Sequence, residues 1–259
     1  MLDEHVALVI GGGRGIGAAT AVLLGRLGAS VAIAARTGSE VSRVSELVRA
    51  EGGTAMPWTV DVRRPEQVQQ MADQVLRKFG RLDHVVHCPG HLPDPAFVWD
   101  VDPHQLWAAL DVNVLGPVLV ARHVVPIMLE QGAGNLVFVS SALSSRAVPG
   151  LGAYAASRAA ENVLVRTLAA EVRGSGVRVD VFIPPATDTD ALRQFRAALA
   201  ARGAPVSAMA ARDPADVAEA IVRLCLPGSW RRADGAGSRA GYGPSFPGNQ
   251  RRPVRRHPW

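Results

Sequence analysis

Short apolar segments alternate with longer amphipathic segments along most of the chain. The apolar segments are rich in Val, Ile and Ala, and glycine or proline stands at many of their boundaries. Strands that are buried on both faces read as nearly continuous apolar runs, and crossover helices between them give a parallel sheet. The alternation therefore predicts an α/β fold in which a doubly wound parallel sheet lies between two layers of helices.

The periodicity places each strand and helix between residues 6 and 226. The predicted strands are 6–10, 31–35, 55–60, 84–87, 135–140 and 178–183. The predicted helices are 18–27, 40–50, 65–79, about 103–130, about 153–173 and 214–226. Asp213 is expected to cap the last helix, with Pro214 in its first turn, where a missing N–H has no helical partner. Apolar periodicity is poor at about 186–212, where we expect an irregular loop.

Composition favours a single folded domain followed by a basic tail. The 259 residues are 48% hydrophobic, enough for one large core, which we assign to residues 1–227. Residues 228–259 contain seven arginines and one acid and show no apolar periodicity. The net charge of +5 therefore resides in the tail, which argues against a basic nucleic-acid-binding face on the domain. We expect a solvated, disordered tail; the alternative is an arm that binds nucleic acid or another anionic partner.

A glycine-rich segment, Gly11-Gly-Gly-Arg-Gly15-Ile-Gly17, separates the first predicted strand from the first helix. Glycines there permit a tight turn and the close approach of backbone amides to a phosphate, which the positive end of the helix also attracts. No Gly-Lys-Ser/Thr follows, which excludes the phosphate loop of nucleotide hydrolases. The segment predicts a Rossmann-like dinucleotide site, with an ordinary glycine-rich turn as the alternative. Its candidate cofactor-binding residues are Gly11, Gly13, Arg14, Gly15, Ile16 and Gly17.

The end of the second predicted strand indicates which nicotinamide cofactor is bound. The sequence there is Ala34-Ala35-Arg36, so no carboxylate repels a 2′-phosphate and a guanidinium is available to bind it. Arg14 of the glycine loop could assist. We predict NADP(H) rather than NAD(H); the alternative is that Arg36 is a solvated loop residue.

Four polar residues farther along the chain have a characteristic order and spacing. Asn113 lies in a predicted helix, Ser141 follows the fifth strand, Tyr154 comes thirteen residues after Ser141, and Arg158 follows Tyr154 by four. Together with the glycine loop, this pattern resembles the short-chain dehydrogenase/reductases in their single-domain, 3-oxoacyl reductase-like form, over residues 5–227. That family has Tyr-x-x-x-Lys where this chain has Tyr-x-x-x-Arg.

The resemblance implies a catalytic role for each of the four residues. Tyr154 would exchange a proton with the substrate oxygen, Ser141 would orient that oxygen, and Asn113 would hold a water molecule. Arg158 would stabilise the phenolate and bind the nicotinamide ribose, but it cannot readily lose a proton as a lysine can. Lys78 is the only lysine in the chain, so arginine in place of lysine follows a general bias.

The resemblance also extends the cofactor site beyond the glycine loop. Asp61 and Val62 match the segment that holds the adenine, although a capping or turn role for Asp61 is nearly as well supported. Thr189 matches a threonine that contacts the cofactor carboxamide. The further cofactor-binding candidates are Asp61, Val62, Gly90, Tyr154, Arg158 and Thr189.

Several segments depart from the family pattern. Ile10 replaces a threonine, His87-Cys88-Pro89-Gly90 replaces Asn-Asn-Ala-Gly, and Pro185 replaces a glycine. The two prolines remove backbone donors beside the expected nicotinamide pocket. No strand pattern returns after residue 226, so the last strand of the family is expected to be missing.

These observations predict an NADP(H)-dependent oxidoreductase that reduces a ketone, of β-keto acyl or polyketide-like type, to an alcohol. The alternatives are a non-redox enzyme of the same fold, such as a cyclase, dehydratase or isomerase, or a catalytically impaired binding or scaffold homologue. Segment 186–212 would contact the small-molecule carbonyl substrate. The resemblance implies a homodimer or homotetramer.

Cysteine usage and hydropathy set the remaining expectations. The two cysteines, Cys88 and Cys225, lie far apart in sequence and suggest a reducing setting without a structural disulfide. His87, Cys88 and His91 match no zinc spacing, so no metal is expected. No continuous apolar run approaches the roughly 18 residues of a membrane span, and no signal peptide is evident. We therefore expect a cytoplasmic protein that binds neither membranes nor nucleic acid.

Overall fold

A parallel sheet forms the centre of the structure. The computed structural model describes residues 1–200 and 210–226. Its strands are β1 (Val6–Ile10), β2 (Ser30–Ala35), β3 (Thr54–Thr59), β4 (His84–His87), β5 (Gly134–Val139) and β6 (Val177–Phe182). The six strands of this described part lie in the order β3-β2-β1-β4-β5-β6, and all neighbours pair in parallel. The predicted doubly wound, Rossmann-like sheet is confirmed.

Helices cover both faces of the sheet and complete the predicted three layers. The α-helices of the described residues are α1 (Gly15–Arg26), α2 (Gly38–Ala50), α3 (Pro65–Phe79), α4 (Pro103–Leu110), α5 (Gly116–Gln131), α6 (Gly152–Glu171), α7 (Asp190–Ala200) and α8 (Pro214–Cys225). Side chains of α3, α5 and α6 pack on one face, and those of α1, α2 and α8 pack on the other. The predicted cap of α8 is present, since Asp213 Oδ1 accepts a hydrogen bond from Ala215 N at 2.7 Å.

Alternate residues of β1 face opposite helical layers. Leu8 and Ile10 belong to the core on the α3 and α5 side, whereas Ala7 and Val9 belong to the core on the α1 and α2 side. All of β1 is buried, so the strand is apolar at every position rather than at every second one. Because β1 lies between β2 and β4, the crossovers leave it in opposite directions and a crevice opens at the carboxyl ends of β1 and β4.

The helix predicted at about 103–130 is interrupted by a π-helical turn at Asp111–Leu115 between α4 and α5. Gly116 N donates to Asp111 O, five residues back, instead of four. Pro117 follows at once and has no N–H to donate to the carbonyl of Asn113, so the helical hydrogen-bond pattern is altered at this point of the chain. The interruption falls on the segment that carries one of the predicted catalytic residues.

The prediction of an irregular loop at 186–212 is partly wrong, because the segment contains the regular helix α7. No residue of α7 is buried. Its apolar side chains Leu192, Phe195 and Leu199 recur every three or four residues and line a cavity rather than the core. Because the apolar side of α7 borders a cavity, its apolar pattern is short. The segment was therefore predicted to be irregular. Residues 201–209 lie outside the described part.

One helical stretch of the described residues, Pro103–Gln131, is long and apolar enough to span a membrane by length and composition alone. Half of it is buried inside the fold, where α5 packs against α3 and the sheet, which is typical of a core helix. Polar residues such as Arg122 and His123 interrupt it, so the sequence showed no continuous apolar run. The predicted basic tail at 228–259, and with it the expected loss of a last strand, lies outside the described residues.

Gly17→Ala is expected to destabilise the protein by about 1–3 kcal/mol, because a Cβ at Gly17 would overlap the carbonyl oxygen of Gly11 and neither backbone can move aside. Urea unfolding measures the change. Gly38→Ala is the matched control at the start of α2, where a Cβ would meet only Thr59 Oγ1 at 3.3 Å. Equal stabilities of the two variants would show that the contact between α1 and the glycine loop is not a packing constraint.

Candidate active site

A cavity of about 650 Å³ occupies the crevice at the carboxyl ends of the strands. Its walls come from the loops that follow the strands, together with residues of α6 and α7. Every predicted cofactor-binding residue lines it, as does Ser141. Asn113 does not line it and is fully buried. The fold therefore brings nearly all of the predicted site residues together around one space.

The glycine loop packs its backbone closely against neighbouring elements. Gly11 has a φ of +76°, and its N–H donates to Ala34 O at 2.7 Å. A Cβ at Gly11 would lie 2.9 Å from the nitrogen of Pro89, so the loops after β1 and β4 touch backbone to backbone. The first turn of α1 borders the cavity and has no acidic residue. A helix N-terminus without an acid attracts phosphate, so this cradle fits a dinucleotide.

Charged side chains surround the glycine loop. Arg36 lines the cavity after β2, and Arg14 forms an exposed ion pair with Asp190 of α7 at 3.7 Å. Glu40 of α2 also lines the cavity, and a Cβ at Gly13 would lie 2.8 Å from its Oε2. The sequence analysis missed Glu40 because it considered only the residues that directly follow β2. This end of the cavity therefore holds a carboxylate as well as cations.

Asp61 lines the cavity but is held in a local turn. Its Oδ1 accepts from Arg63 N at 3.0 Å, and its Oδ2 pairs with Arg63 Nη2 at 2.6 Å. The hydrogen bond from Arg63 lowers the pKa of Asp61. These contacts are the ones expected if Asp61 stabilises a turn, which is the alternative role given for it above.

Thr189 lies directly beside the glycine loop. A Cβ at Gly15 would lie 3.1 Å from Thr189 Cγ2. Thr189 Oγ1 also accepts from Leu192 N at 3.3 Å, which ties the start of α7 to this position. Thr189 thus connects the glycine loop with the helix that forms another wall of the cavity.

Tyr154 and Arg158 lie one turn apart on α6 and contact each other. Arg158 Nε donates to Tyr154 Oη at 3.2 Å, and the guanidinium carbon is 5.4 Å from the centre of the ring. Arg158 is only 4% exposed, whereas Tyr154 is half-buried at the cavity. Ser141, at the end of β5, accepts from Leu143 N at 3.2 Å and lines the same cavity. A phenol, a hydroxyl and a cation therefore share one wall.

Protein groups occupy the other nitrogens of the Arg158 guanidinium. Nη1 donates to Glu161 Oε2 at 2.7 Å and to Val139 O at 3.4 Å. Nη2 donates to Pro89 O at 3.4 Å. Burial lowers the pKa of Arg158, but its interactions with Tyr154 and Glu161 outweigh burial and raise the pKa overall. Arg158 is therefore a permanent cation with a protein acceptor for each nitrogen of its guanidinium.

Asn113 joins two parts of the site through its side chain. Its Oδ1 accepts from His91 N at 2.8 Å. Its Nδ2 donates to His91 O and to Ser157 Oγ, both at 2.9 Å. The side chain thus fixes the loop after β4 against α6.

His87, at the end of β4, and Cys88, which follows it, place uncharged groups near Arg158. His87 is fully buried, and burial together with the charge of Arg158 lowers its pKa to about 3. Burial raises the pKa of Cys88 to about 12, so its thiol is unreactive near neutral pH. A Cβ at Gly90 would overlap Arg158 Nη2, so glycine is needed there. Among the described residues, no group of three or more His, Cys, Asp or Glu side chains is placed to hold a metal ion.

Glu161, like Glu40, is a functional candidate that was not predicted from the sequence. It lies on the buried side of α6, three residues after Arg158, and its side chain is 0% exposed. An acid among the inward positions of a helix was the available signal, because charged residues are almost never fully buried without a partner. The partner is evident only when the spacing is combined with the burial of Arg158.

His87→Asn is expected to reduce the loss of stability in acid. The pKa of His87 falls from 6.5 to about 3 on burial, so below about pH 6.5 the unfolded chain binds a proton that the folded chain does not. This stability is fully present above that pH and is lost as the pH falls, by about 1.4 kcal/mol per pH unit. Between about pH 7 and pH 5, urea unfolding should show a loss about 2 kcal/mol smaller in the variant.

His104→Asn, at an exposed position of α4, is the control for this experiment and should lose as much stability as the wild type. His84, whose pKa burial lowers to about 4, acts in the same direction in all three proteins and cancels from the comparison. Equal acid losses in His87→Asn and the wild type would contradict a buried, neutral imidazole at His87.

Comparison with known proteins agrees with this geometry. The sequence matches the short chain dehydrogenase family over residues 5–200. An uncharacterized oxidoreductase of Mycobacterium tuberculosis is 36% identical over 230 residues, which cover 87% of each chain. The 3-ketoacyl-(acyl-carrier-protein) reductase from Brucella melitensis, complexed with NADH, has a TM-score of 0.80 at 27% identity and covers 88% of this chain and 93% of its own. A metagenomic short-chain oxidoreductase in complex with NADP has a TM-score of 0.75 at 28% identity and the same two coverages. The chain belongs to the short-chain dehydrogenase family.

Proposed function

We propose that the protein is an NADP(H)-dependent reductase that converts a ketone, of β-keto acyl or polyketide-like type, to an alcohol. The contact between Tyr154 Oη and Arg158 Nε carries the proposal. It places a proton donor beside a permanent cation on the wall of a cavity that the glycine loop also lines. Family membership supports redox chemistry at this cavity.

The residues of this chain would manage the proton and the charge of the reaction. Bound NADPH would supply the hydride. Tyr154 donates its phenolic proton to the carbonyl oxygen, and Ser141 Oγ orients that oxygen by a hydrogen bond. Arg158 stabilises the remaining phenolate, since its Nε lies 3.2 Å from Oη. Because arginine does not release a proton near neutral pH, Tyr154 is reprotonated from water in the cavity rather than through Arg158.

The preference for NADP(H) rests on Arg36, with Arg14 in support. Both guanidinium groups border the cavity, and their planar shape suits bidentate binding of a 2′-phosphate. Glu40 opposes this preference, because its carboxylate lies beside Gly13. The two structural neighbours contain NADH and NADP respectively, so the fold accommodates both cofactors and the choice is made by side chains.

The substrate class follows from the apolar part of the cavity wall. Apolar side chains from the connections after β4 and β5 and from α7 line it: Leu92, Leu143, Val148, Leu151, Leu192, Phe195 and Leu199. Such a wall suits a ketone that carries a hydrocarbon chain or ring. The 3-ketoacyl reductase among the structural neighbours supports the same class. Helix α7, rather than an irregular loop, would contact this part of the substrate.

The engagement of Arg158 favours a second candidate, a non-redox enzyme of the same fold. Both Nη1 and Nη2 donate to protein groups, so the guanidinium is less available to bind a nicotinamide ribose than an ammonium group would be. A cyclase, dehydratase or isomerase would use Tyr154 for proton transfer without consuming the cofactor. A binding or scaffold homologue would use neither.

We further propose a cytoplasmic homodimer or homotetramer that acts on a small-molecule carbonyl compound and binds neither nucleic acid nor membranes. Val118 of α5 and Val163 of α6 are 42% and 62% exposed in the single chain. Exposed apolar side chains on neighbouring helices are typical of a subunit interface.

Tyr154→Phe is expected to lower kcat for ketone reduction by about 100-fold or more, because the hydroxyl that donates the proton is lost. The measurement is NADPH consumption, followed by absorbance, with a panel of ketones that carry apolar chains. Tyr242→Phe, at the only other tyrosine of the chain, is the matched control and should leave kcat unchanged. Turnover that survives the loss of the Tyr154 hydroxyl would contradict its assigned role.

Arg158→Lys separates the candidate functions in the same assay. A gain in ketone reduction would identify the wild-type protein as an impaired reductase. Loss of a native activity that consumes no cofactor would establish the non-redox candidate instead.

NADPH is expected to bind at least about 10-fold more tightly than NADH, since a guanidinium gains a charge-assisted hydrogen bond only with the 2′-phosphate. Isothermal titration with each reduced cofactor measures the two Kd values. Arg36→Ala should weaken NADPH binding alone, and Arg49→Ala, at an exposed position of α2, should change neither. Equal affinities, or tighter binding of NADH, would overturn the assignment.

A further inference from the structure

Arg158 and Glu161 form a buried ion pair within α6. Their side chains are 5% and 0% exposed. The buried positions that follow on the same helix, Asn162 and Val165, carry no charge. A buried guanidinium or carboxylate is costly alone, and removal of either partner leaves the other uncompensated. Glu161 is therefore the counter-charge of Arg158 and not an incidental helix residue.

The contacts of the pair determine which nitrogen of Arg158 faces Tyr154. Glu161 and Val139 accept from Nη1, and Pro89 accepts from Nη2. A guanidinium is planar, so a position fixed for Nη1 and Nη2 also fixes the direction of Nε. That direction points to Tyr154 Oη at 3.2 Å. The 2.7 Å bond that Arg158 Nη1 donates to Glu161 Oε2 is the strongest of the contacts that set it.

The neighbouring titratable groups remain uncharged around neutral pH. From β4 and the loop after it, His87 has a pKa of about 3 and Cys88 a pKa of about 12, both because of burial. Burial raises the pKa of Glu161, and the charge and hydrogen bond of Arg158 act in the opposite direction. The charge beside Tyr154 therefore depends on Arg158 and Glu161.

We propose that Glu161 is a positioning residue for the reaction: its carboxylate holds Arg158 with Nε on Tyr154 Oη and offsets part of the guanidinium charge. The kinetic consequences of this inference rest on the proposed function. The hydrogen bonds that orient Arg158 do not depend on whether the protein reduces a ketone. The Arg158–Glu161 pair takes the place of the single, freely rotating cation of a Tyr-x-x-x-Lys site. A planar cation needs a second residue to orient it, whereas an ammonium group does not.

Glu161→Gln changes the charge of the pair while preserving its shape. The amide oxygen of glutamine can still accept from Arg158 Nη1, so the guanidinium keeps its orientation. The uncompensated positive charge then favours the phenolate form of Tyr154 more strongly. Tyr154 should consequently ionise at lower pH in the variant, which a merely structural role of Glu161 would not cause.

The chain offers a direct measurement of this ionisation, because Tyr154 and Tyr242 are its only tyrosines. In a Tyr242→Phe background, the ultraviolet absorbance change of phenolate formation reports Tyr154 alone. Glu161→Gln should shift the midpoint of this titration to lower pH by about one unit. Glu171→Gln, at an exposed position of the same helix, is the matched control and should not move the midpoint. An unchanged midpoint in folded Glu161→Gln protein, verified by circular dichroism, would overturn the proposal.

Kinetics test the positioning role separately. Glu161→Leu removes the acceptor of Nη1 and should lower kcat by about 10-fold or more, with a smaller change in the KM for the ketone. The double variant Arg158→Lys with Glu161→Leu should recover kcat to within a few-fold of the wild type, because an ammonium group needs no orienting carboxylate. If the folded Glu161→Leu enzyme keeps its full kcat, or if the double variant shows no recovery, the positioning role is refuted. If the wild type reduces no ketone, the proposed function fails, and the titration of Tyr154 still decides the role of Glu161.

Discussion

A permanently charged guanidinium in a buried place is the constraint around which this site is arranged. Arg158 cannot lose its proton to escape the cost of burial, so every group around it must accept a hydrogen bond, carry a negative charge or leave space. Glu161 supplies the charge, the Pro89 and Val139 carbonyls accept the remaining bonds, and Gly90 leaves the space. Burial keeps the nearby imidazole of His87 neutral, and repulsion by the guanidinium acts in the same direction.

The layers and the glycine loop could be predicted from the sequence, because burial on both faces of a strand, and backbone packed against backbone, each restrict the residue types at a position. A strand such as β1 is apolar at every position when both faces are covered, and Gly17 must be glycine where backbone meets backbone. Two features of the fold produced no such local pattern in the sequence. Helix α7 directs its apolar side to a cavity rather than to the core, and the π-helical turn is a change of backbone hydrogen-bond partner at Gly116.

The sequence predicted which residues belong to the candidate site but not which groups each side chain contacts. Residues that follow parallel strands meet at one edge of the sheet, so Ser141 and Arg36 border the same cavity although they are far apart in sequence. What each side chain touches is a tertiary property. Asp61 is held by a neighbouring arginine, and the side chain of Asn113 bridges a loop and a helix. Glu161 could be recognised only once the burial of both members of its pair was known.

The pair also bears on how an arginine is accommodated at position 158. A chain with one lysine, Lys78, among 28 basic residues shows a general preference for arginine, and on a solvated surface that exchange needs no companion. In the interior it does, because a guanidinium is larger, planar and permanently charged. Compositional drift alone predicts neither a buried acid one turn later nor an acceptor for each nitrogen of the guanidinium. The presence of both at Arg158 indicates an arginine whose burial is compensated by the groups around it.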